Sequence, residues 1–294
     1  MKAIASAIRF LVFTNIYIAT CVLCFTVKTS LMLFGNTGNM HVNALAFFAT
    51  MFLYGFHRVY RRFRLFEDEH KEERHHWVDD RKKMYYVIIA LAFIGAISQL
   101  FYMPFRVFVL MVPVGFIAVG YSVPFIKTAK GYIRLRDISW LKALWIGIAY
   151  AWLTTFLPVA FSNPISYLKQ PGVLFIFAEN LLFMFVLAVP FDIRDIAYDK
   201  RNNVNTVPVL IGVKGAINLC LVLLGCFIAV AYAHYTCDGL SRPMAVALLL
   251  SAIEIACFVP MSKPERPNLF FPLAIESSMI IQYGLLVCAL ALIR

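Results

Sequence analysis

Charged residues are scarce in this chain: only 15% of its 294 residues are Asp, Glu, Lys or Arg, whereas 62% are apolar or aromatic. So little polar surface cannot coat a water-soluble protein of this length. Linkers long enough to separate soluble domains are also lacking, so we expect one domain over residues 1–294. The chain has no Gly-rich phosphate loop, dinucleotide fingerprint or second cysteine pair at zinc spacing. These absences argue against a soluble nucleotide-binding or zinc protein.

The sequence contains long apolar runs, which are typical of membrane-spanning helices. A hydrocarbon layer about 30 Å thick requires roughly 20 mainly apolar residues per helical crossing. The sequence contains nine such runs, so we predict an all-α, polytopic membrane protein built as a nine-helix bundle. The predicted spans are 10–33, 42–57, 84–101, 105–126, 139–161, 172–191, 213–235, 243–260 and 269–293.

The positions of Lys and Arg predict the orientation of the chain. With the N-terminus in the cytoplasm, 22 of the 27 basic residues lie on the cytoplasmic side of the predicted spans. Such an excess is typical of cytoplasmic loops. We therefore expect a multi-pass protein whose N-terminus and aspartate-rich loop are cytoplasmic. The net charge of +11 then reflects topology and does not indicate nucleic-acid binding.

The strongest chemical pattern lies at the end of the sixth predicted span. Asp192, Asp195 and Asp199 follow one another at intervals of three and four residues, so on a continuous helix they share one stripe. Neighbouring carboxylates repel one another unless a cation neutralises them, and this oxygen set suits Mg²⁺ with a bound phosphate. The alternative is a solvated helix end whose aspartates pair with neighbouring Lys and Arg side chains.

The run DIRDIAYDKRNNVNTVPVLIGVKGA at 192–216 resembles the second aspartate-rich motif of the UbiA superfamily of intramembrane prenyltransferases. The segment Tyr121-Ser122-Val123-Pro124, followed by Lys127, is similar to the family's Tyr-Ser-x-Pro segment. The resemblance implies transfer of an isoprenyl group from a diphosphate donor to a lipophilic, aromatic acceptor in the membrane.

The resemblance also implies roles for individual residues. The catalytic residues, which would ligate the Mg²⁺ cofactor, are Asp192, Asp195 and Asp199. The residues that would bind the diphosphate are Tyr121, Lys127 and Arg194. The expected partners are an isoprenyl diphosphate, a lipophilic acceptor and membrane lipid.

The family's first motif, Asn-Asp-x-x-Asp-x-x-x-Asp after the second span, is altered. Residues 57–65 read HRVYRRFRL, so bases stand where carboxylates are expected. His57, Arg58 and Arg61 are candidates to bind diphosphate oxygens directly in place of a metal. Alternatively, this cluster is only the basic anchor of the second span. In that case the protein is a non-catalytic isoprenoid-diphosphate binding protein.

Acidic residues inside the spans support a third hypothesis. Glu179, Glu254 and Glu276 lie in apolar runs, where a carboxylate is costly and is expected to face the bundle interior. They are either packing groups or proton acceptors. A proton-coupled transporter would need Glu179 or Glu276 and would tolerate loss of the Asp192 cluster.

Overall fold

A computed structural model describes residues 2–64, 73–128 and 131–293. These residues form twelve α-helices and one antiparallel hairpin of β1 (Ile126–Thr128) and β2 (Gly131–Ile133). The helices are α1 (Lys2–Phe13), α2 (Ile16–Phe34), α3 (Met40–Arg64), α4 (Glu73–Asp80), α5 (Lys82–Leu100), α6 (Phe105–Ser122), α7 (Leu141–Ser162), α8 (Pro171–Arg194), α9 (Ile196–Arg201), α10 (Val207–Cys237), α11 (Arg242–Phe258) and α12 (Ser277–Ala291).

The prediction of an all-α membrane bundle is confirmed, because eight helices in the described ranges are long and apolar enough to cross a bilayer. The second predicted span, 42–57, lies within α3, which is a continuous helix of 25 residues. His41, Asn43 and His57 make α3 more polar than the eight spans. This span is therefore helical as predicted, but α3 is too polar to be counted with the eight apolar spans.

The first predicted span, 10–33, is two helices rather than one. α1 ends at Phe13, α2 begins at Ile16, and Asn15 between them has a positive φ of 68°. Asn tolerates this left-handed conformation better than most residues. Arg58 stabilises the break, since its Nη1 donates to the Phe13 carbonyl at 2.9 Å and its Nη2 to Asn15 Oδ1 at 3.3 Å. The apolar run continues through this break, so its pattern does not reveal it.

The seventh predicted span, 213–235, begins earlier than expected. α10 starts at Val207, and Gly212 interrupts its first turns with a φ of 73° and a ψ of 168°. A glycine is suited to this position because it has no Cβ to clash in the left-handed region. The interruption separates a short helical turn, adjacent to the aspartate-rich segment, from the long apolar part of α10.

Helices that are consecutive in the chain pack against one another. α7 packs on α8, α8 on α10 and α10 on α11, while α12 returns to contact α2 and closes the bundle. The main core forms around α8, whose Phe183, Val186 and Val189 are fully buried. α8 is therefore the central helix, and its C-terminal end carries the aspartates.

Candidate functional site at the aspartate-rich end of the bundle

A buried lysine lies between two aspartates at the centre of the site. Lys142 Nζ is 2.9 Å from Asp192 Oδ1 and 2.9 Å from Asp199 Oδ2. The exposed fractions of the three side chains are 7%, 3% and 0%, respectively. Charges removed from water in this way require good mutual geometry, because the desolvation cost is large. The lysine therefore acts as the internal counter-charge of both acids.

The path of α8 and α9 brings Asp192 and Asp199 to the same face. α8 ends at Arg194 and α9 begins at Ile196, but the chain hardly deviates at Asp195. The Asp195 amide donates to the Phe191 carbonyl at 3.0 Å, and the Asp199 amide to the Asp195 carbonyl at 2.9 Å. Seven residues are about two helical turns, so Asp192 and Asp199 both point toward α7.

Backbone contacts between two loops set the position of Lys142. The residue lies in the first turn of α7, and Trp140 before it has a positive φ of 52°. The Trp140 amide donates to the Asn205 carbonyl at 2.7 Å, and the Val204 amide donates to the Asp199 carbonyl at 2.9 Å. The loop before α7 is thereby attached to the loop after α9. This attachment holds the lysine against the two aspartates.

Each of the two aspartates also has one oxygen to spare. Asp192 Oδ2 and Asp199 Oδ1 are buried, and within the described part of the chain neither accepts a hydrogen bond. A buried acceptor without a partner costs about 1–3 kcal/mol. Mg²⁺ binds through one or two carboxylates completed by substrate phosphate and water, so two such oxygens fit this ion. Among the described residues no three His, Cys, Asp or Glu side chains form a metal site on their own.

The third aspartate of the predicted stripe has a different ion-pair partner. Asp195 is held by its neighbour Arg194, whose Nε is 2.8 Å from Oδ1 and whose Nη2 is 3.2 Å from Oδ2. The same guanidinium lies over the rings of Phe191 and Phe271, at 5.2 and 5.5 Å from their centroids. A metal-ligand role for Asp195 and a diphosphate-binding role for Arg194 stay predictions.

A second wall of the site combines α3, α6 and the loop before α7. His57 Nδ1 lies 2.5 Å from Ser122 Oγ, and the His57 ring is 6.1 Å from that of Tyr121. The guanidinium of Arg136 lies over the Tyr121 ring, 5.5 Å from its centroid. The fold thus brings His57, from the altered first motif, next to the Tyr-Ser pair of the fourth predicted span.

The loop that carries Arg136 is a tight turn with its own ion pair. Arg134 donates through Nε to Asp137 Oδ2 at 2.8 Å and through Nη2 to Oδ1 at 2.9 Å. Burial alone would raise the pKa of Asp137, but these hydrogen bonds and charges hold it below its usual range. Burial disfavours charge on Arg136 as well, yet the oxygens of Tyr121, Tyr198 and nearby aspartates raise its pKa above the ordinary value. Both groups are therefore charged at neutral pH.

Lys127 and Arg58, two other predicted substrate-binding residues, have different surroundings. Lys127 lies on β1 opposite Tyr132, and its side chain is exposed. Arg58 contacts Phe13 and Asn15, where it stabilises the break between α1 and α2. The side chain of Arg61 lies outside the described part of the structure.

Sequence reasoning missed Lys142 and Arg136. Both residues were counted only as part of the basic excess that predicts orientation. A signal for Lys142 was present, because it follows Trp140 and Leu141 and so lies inside the apolar run rather than before it. Arg136 offers no comparable signal, since its neighbours Arg134 and Asp137 give it the character of an ordinary polar loop.

The bundle and its charged end define a multi-pass integral membrane protein with paired acids and bases where a central helix ends. The chain belongs to the UbiA prenyltransferase family, whose sequence model matches residues 80–292. The resemblance seen in the aspartate-rich segment is thereby confirmed at the level of the family. No curated protein sequence matches the chain.

Solved structures share the same fold at low sequence identity. A UbiA homologue from Aeropyrum pernix K1 is 18% identical with a TM-score of 0.64, covering 93% of this chain and 98% of its own. A UbiA homologue from Archaeoglobus fulgidus bound to GPP and Mg²⁺ is 11% identical with a TM-score of 0.62, covering 96% and 99%. A digeranylgeranylglyceryl phosphate synthase structure is 14% identical with a TM-score of 0.54, covering 99% and 98%. These likenesses extend over nearly the whole of each chain.

Proposed function

We propose that this protein is an intramembrane prenyltransferase that moves an isoprenyl group from a diphosphate donor to a lipophilic, aromatic acceptor. The observation that carries the proposal is the buried Asp192–Lys142–Asp199 cluster, in which each carboxylate retains one oxygen that has no partner among the described residues. Membership of the UbiA prenyltransferase family supports the class of reaction. The Archaeoglobus fulgidus homologue, which is bound to GPP and Mg²⁺, supports the class of donor.

Asp192 and Asp199 would hold Mg²⁺ through their unpartnered oxygens, and Asp195 is a further candidate ligand. When bound, the ion would neutralise diphosphate charge and make the diphosphate a better leaving group. Lys142 keeps both carboxylates in place and offsets their repulsion. Tyr121 and His57 line the adjacent wall, and Lys127 and Arg194 are the remaining candidates for contact with the diphosphate.

The reaction that follows is a substitution at the first carbon of the isoprenyl chain. Its bond to the diphosphate oxygen breaks, and the diphosphate leaves with the electron pair. The allylic cation is captured by a carbon of the acceptor, which then loses a proton. A site at the end of a membrane helix suits this reaction, since the charged head is held near water while the apolar tail lies among the helices.

Mutation of the two buried aspartates tests this function. Asp192→Asn and Asp199→Asn remove the charge but keep the size of the side chain. With purified protein and geranyl, farnesyl or geranylgeranyl diphosphate, we expect each change to reduce Mg²⁺-dependent release of pyrophosphate roughly 10²-fold or more. Asp238→Asn is a matched control, because Asp238 follows α10 at the opposite end of the bundle. Wild-type turnover in both variants would remove the assignment.

A second function has an observation in its favour. The first motif carries bases instead of acids, and Lys142 already neutralises part of the second motif. These features favour a protein that binds an isoprenoid diphosphate without ionising it. Saturable Mg²⁺-dependent binding of labelled farnesyl diphosphate, with no pyrophosphate released across a panel of aromatic acceptors, would favour this binding protein over the enzyme.

A further inference from the structure

Arg136 is a half-buried arginine whose Nε has no hydrogen-bond acceptor among the described residues. The Nε atom itself is buried. The group is held in place from one side by the Tyr121 ring, 5.5 Å from the centroid. The neighbouring bases are engaged, since Arg134 pairs with Asp137 and Lys142 bridges Asp192 and Asp199. An unpaired buried donor is expensive unless a ligand completes it.

Among the described residues, the charges around Arg136 cancel. Asp192 and Asp199 carry two negative charges, and Lys142 and Arg136 carry two positive ones. The nearby Arg194 and Asp195 neutralise one another as a pair. The wall formed by His57, Tyr121 and Ser122 adds no carboxylate. The described part of this end of the bundle therefore lacks the acidic excess that a pair of divalent ions would require.

We propose that Arg136 binds the diphosphate directly and takes the place of a second divalent ion, beside a single Mg²⁺ held by Asp192 and Asp199. This inference rests on the proposed function and concerns the donor-binding step. A guanidinium presents two parallel donors that match the oxygens of a phosphate group. The Tyr121 ring packs against one side of the guanidinium, and the Arg134–Asp137 pair stabilises the turn that carries it. The diphosphate would lie between Arg136 and the spare oxygens of the two aspartates, with the ion on the aspartate side.

Binding of a non-reactive donor tests the proposal without depending on turnover. The probe is geranyl S-thiolodiphosphate, and the protein is the purified full chain in lipid nanodiscs. We expect the wild type to bind the probe weakly in EDTA and tightly with Mg²⁺. Arg136→Gln should weaken binding on the order of 10- to 100-fold under both conditions. Arg136→Lys should give an intermediate loss, because lysine keeps the charge but not the paired donors.

Two controls separate this inference from the proposed function. Arg201→Gln alters an exposed arginine at the same end of the bundle and should leave binding unchanged. Asp192→Asn should abolish the Mg²⁺-dependent gain but keep the binding in EDTA that depends on Arg136. Wild-type affinity in Arg136→Gln, together with the expected loss in Asp192→Asn, would overturn the role of Arg136 and leave the proposed function intact.

The number of bound ions gives a second, independent measurement. Titration of Mn²⁺ followed by electron paramagnetic resonance should give one tightly bound ion per complex of protein and probe. Two tightly bound ions would overturn the inference, since no position would then be left for the guanidinium to replace. Failure of the wild type to bind the probe under any condition would overturn both proposals. Melting temperatures confirm that each variant is folded, and Arg136→Lys supplies the test if Arg136→Gln unfolds.

Discussion

Two lysines are buried in the described part of this bundle, and they have different surroundings. Lys142 at the aspartate-rich end contacts two carboxylates. Lys28, fully buried in α2, contacts no carboxylate among the described residues: its Nζ donates to Asn180 Oδ1 at 2.5 Å and to Gln282 Oε1 at 2.9 Å. Asn180 and Asp192 are 12 residues apart on α8, which corresponds to about 18 Å along the helix. The two lysines therefore belong to separate polar clusters.

The two amide groups that contact Lys28 also donate hydrogen bonds to hydroxyl groups on neighbouring helices. Asn180 Nδ2 donates to Thr155 Oγ1 at 2.9 Å, and Gln282 Nε2 donates to Ser251 Oγ at 2.8 Å. The network thus ties together α2, α7, α8, α11 and α12 within the membrane. Around Lys142, by contrast, each aspartate keeps an oxygen without a partner. A satisfied network fastens helices, whereas an unsatisfied one can accept a ligand.

Removal of Lys142 should have the largest effect. Lys142→Met leaves two buried carboxylates without a counter-charge, and breaking a buried pair costs about 3–5 kcal/mol. We expect the melting temperature and pyrophosphate release both to fall, and added Mg²⁺ to restore more of the melting temperature than it does in the wild type. Lys200→Met, at an exposed position one residue after Asp199, is the control. Thermal unfolding with and without Mg²⁺ checks the prediction, and identical curves for Lys142→Met and wild type would contradict it.

Removal of Lys28 should affect stability and not chemistry. Lys28→Met leaves the amide oxygens of Asn180 and Gln282 without a donor, which costs about 1–3 kcal/mol for each oxygen that stays unpaired. We expect a lower melting temperature, with turnover per folded molecule close to that of the wild type. If Lys28→Met melts like the wild type but no longer releases pyrophosphate, Lys28 serves the reaction. The two clusters would then not differ in role.

The smallest effect is expected at Glu179, the residue that a transporter would need. Its Oε1 lies 2.8 Å from His234 Nδ1, and Glu179→Gln keeps an oxygen available for this contact. We expect a change in stability of about 1 kcal/mol or less and unchanged pyrophosphate release. Measurement of proton uptake in reconstituted vesicles tests the transporter hypothesis. Uptake by the wild type that disappears in Glu179→Gln would favour the transporter hypothesis.

The helices were predictable because each apolar run must satisfy its backbone hydrogen bonds internally when it lies in lipid. The breaks between helices were not predictable. Asn15 interrupts the first apolar run and Gly212 lies just before the seventh, and hydropathy does not report φ angles. The break at Asn15 depends on Arg58, which lies 43 residues away in the chain. Sequence interpretation had assigned Arg58 to the substrate.

Only part of the site was predictable from the sequence. The spacing of Asp192 and Asp199 predicts a shared helical face, and the structure has both side chains on that face. Asp195 has the same spacing, but it faces Arg194 instead. The helical period specifies which residues can share a stripe. It does not specify which base each carboxylate pairs with, because that depends on bases carried by other parts of the chain.

The sequence by itself determined a helical membrane protein with an acidic helix end, because hydropathy and helical spacing are local properties, and the motif at 192–216 indicated the UbiA family by resemblance. Only the tertiary structure decided that Lys142 lies between Asp192 and Asp199 and that Arg136 lies over Tyr121. Those pairs join segments that are distant in the chain, and they form only when α7 packs on α8 and the loops at that end meet. Electrostatic neutralisation acts through space, so the partners of a buried charge are set by packing and not by neighbours in the sequence.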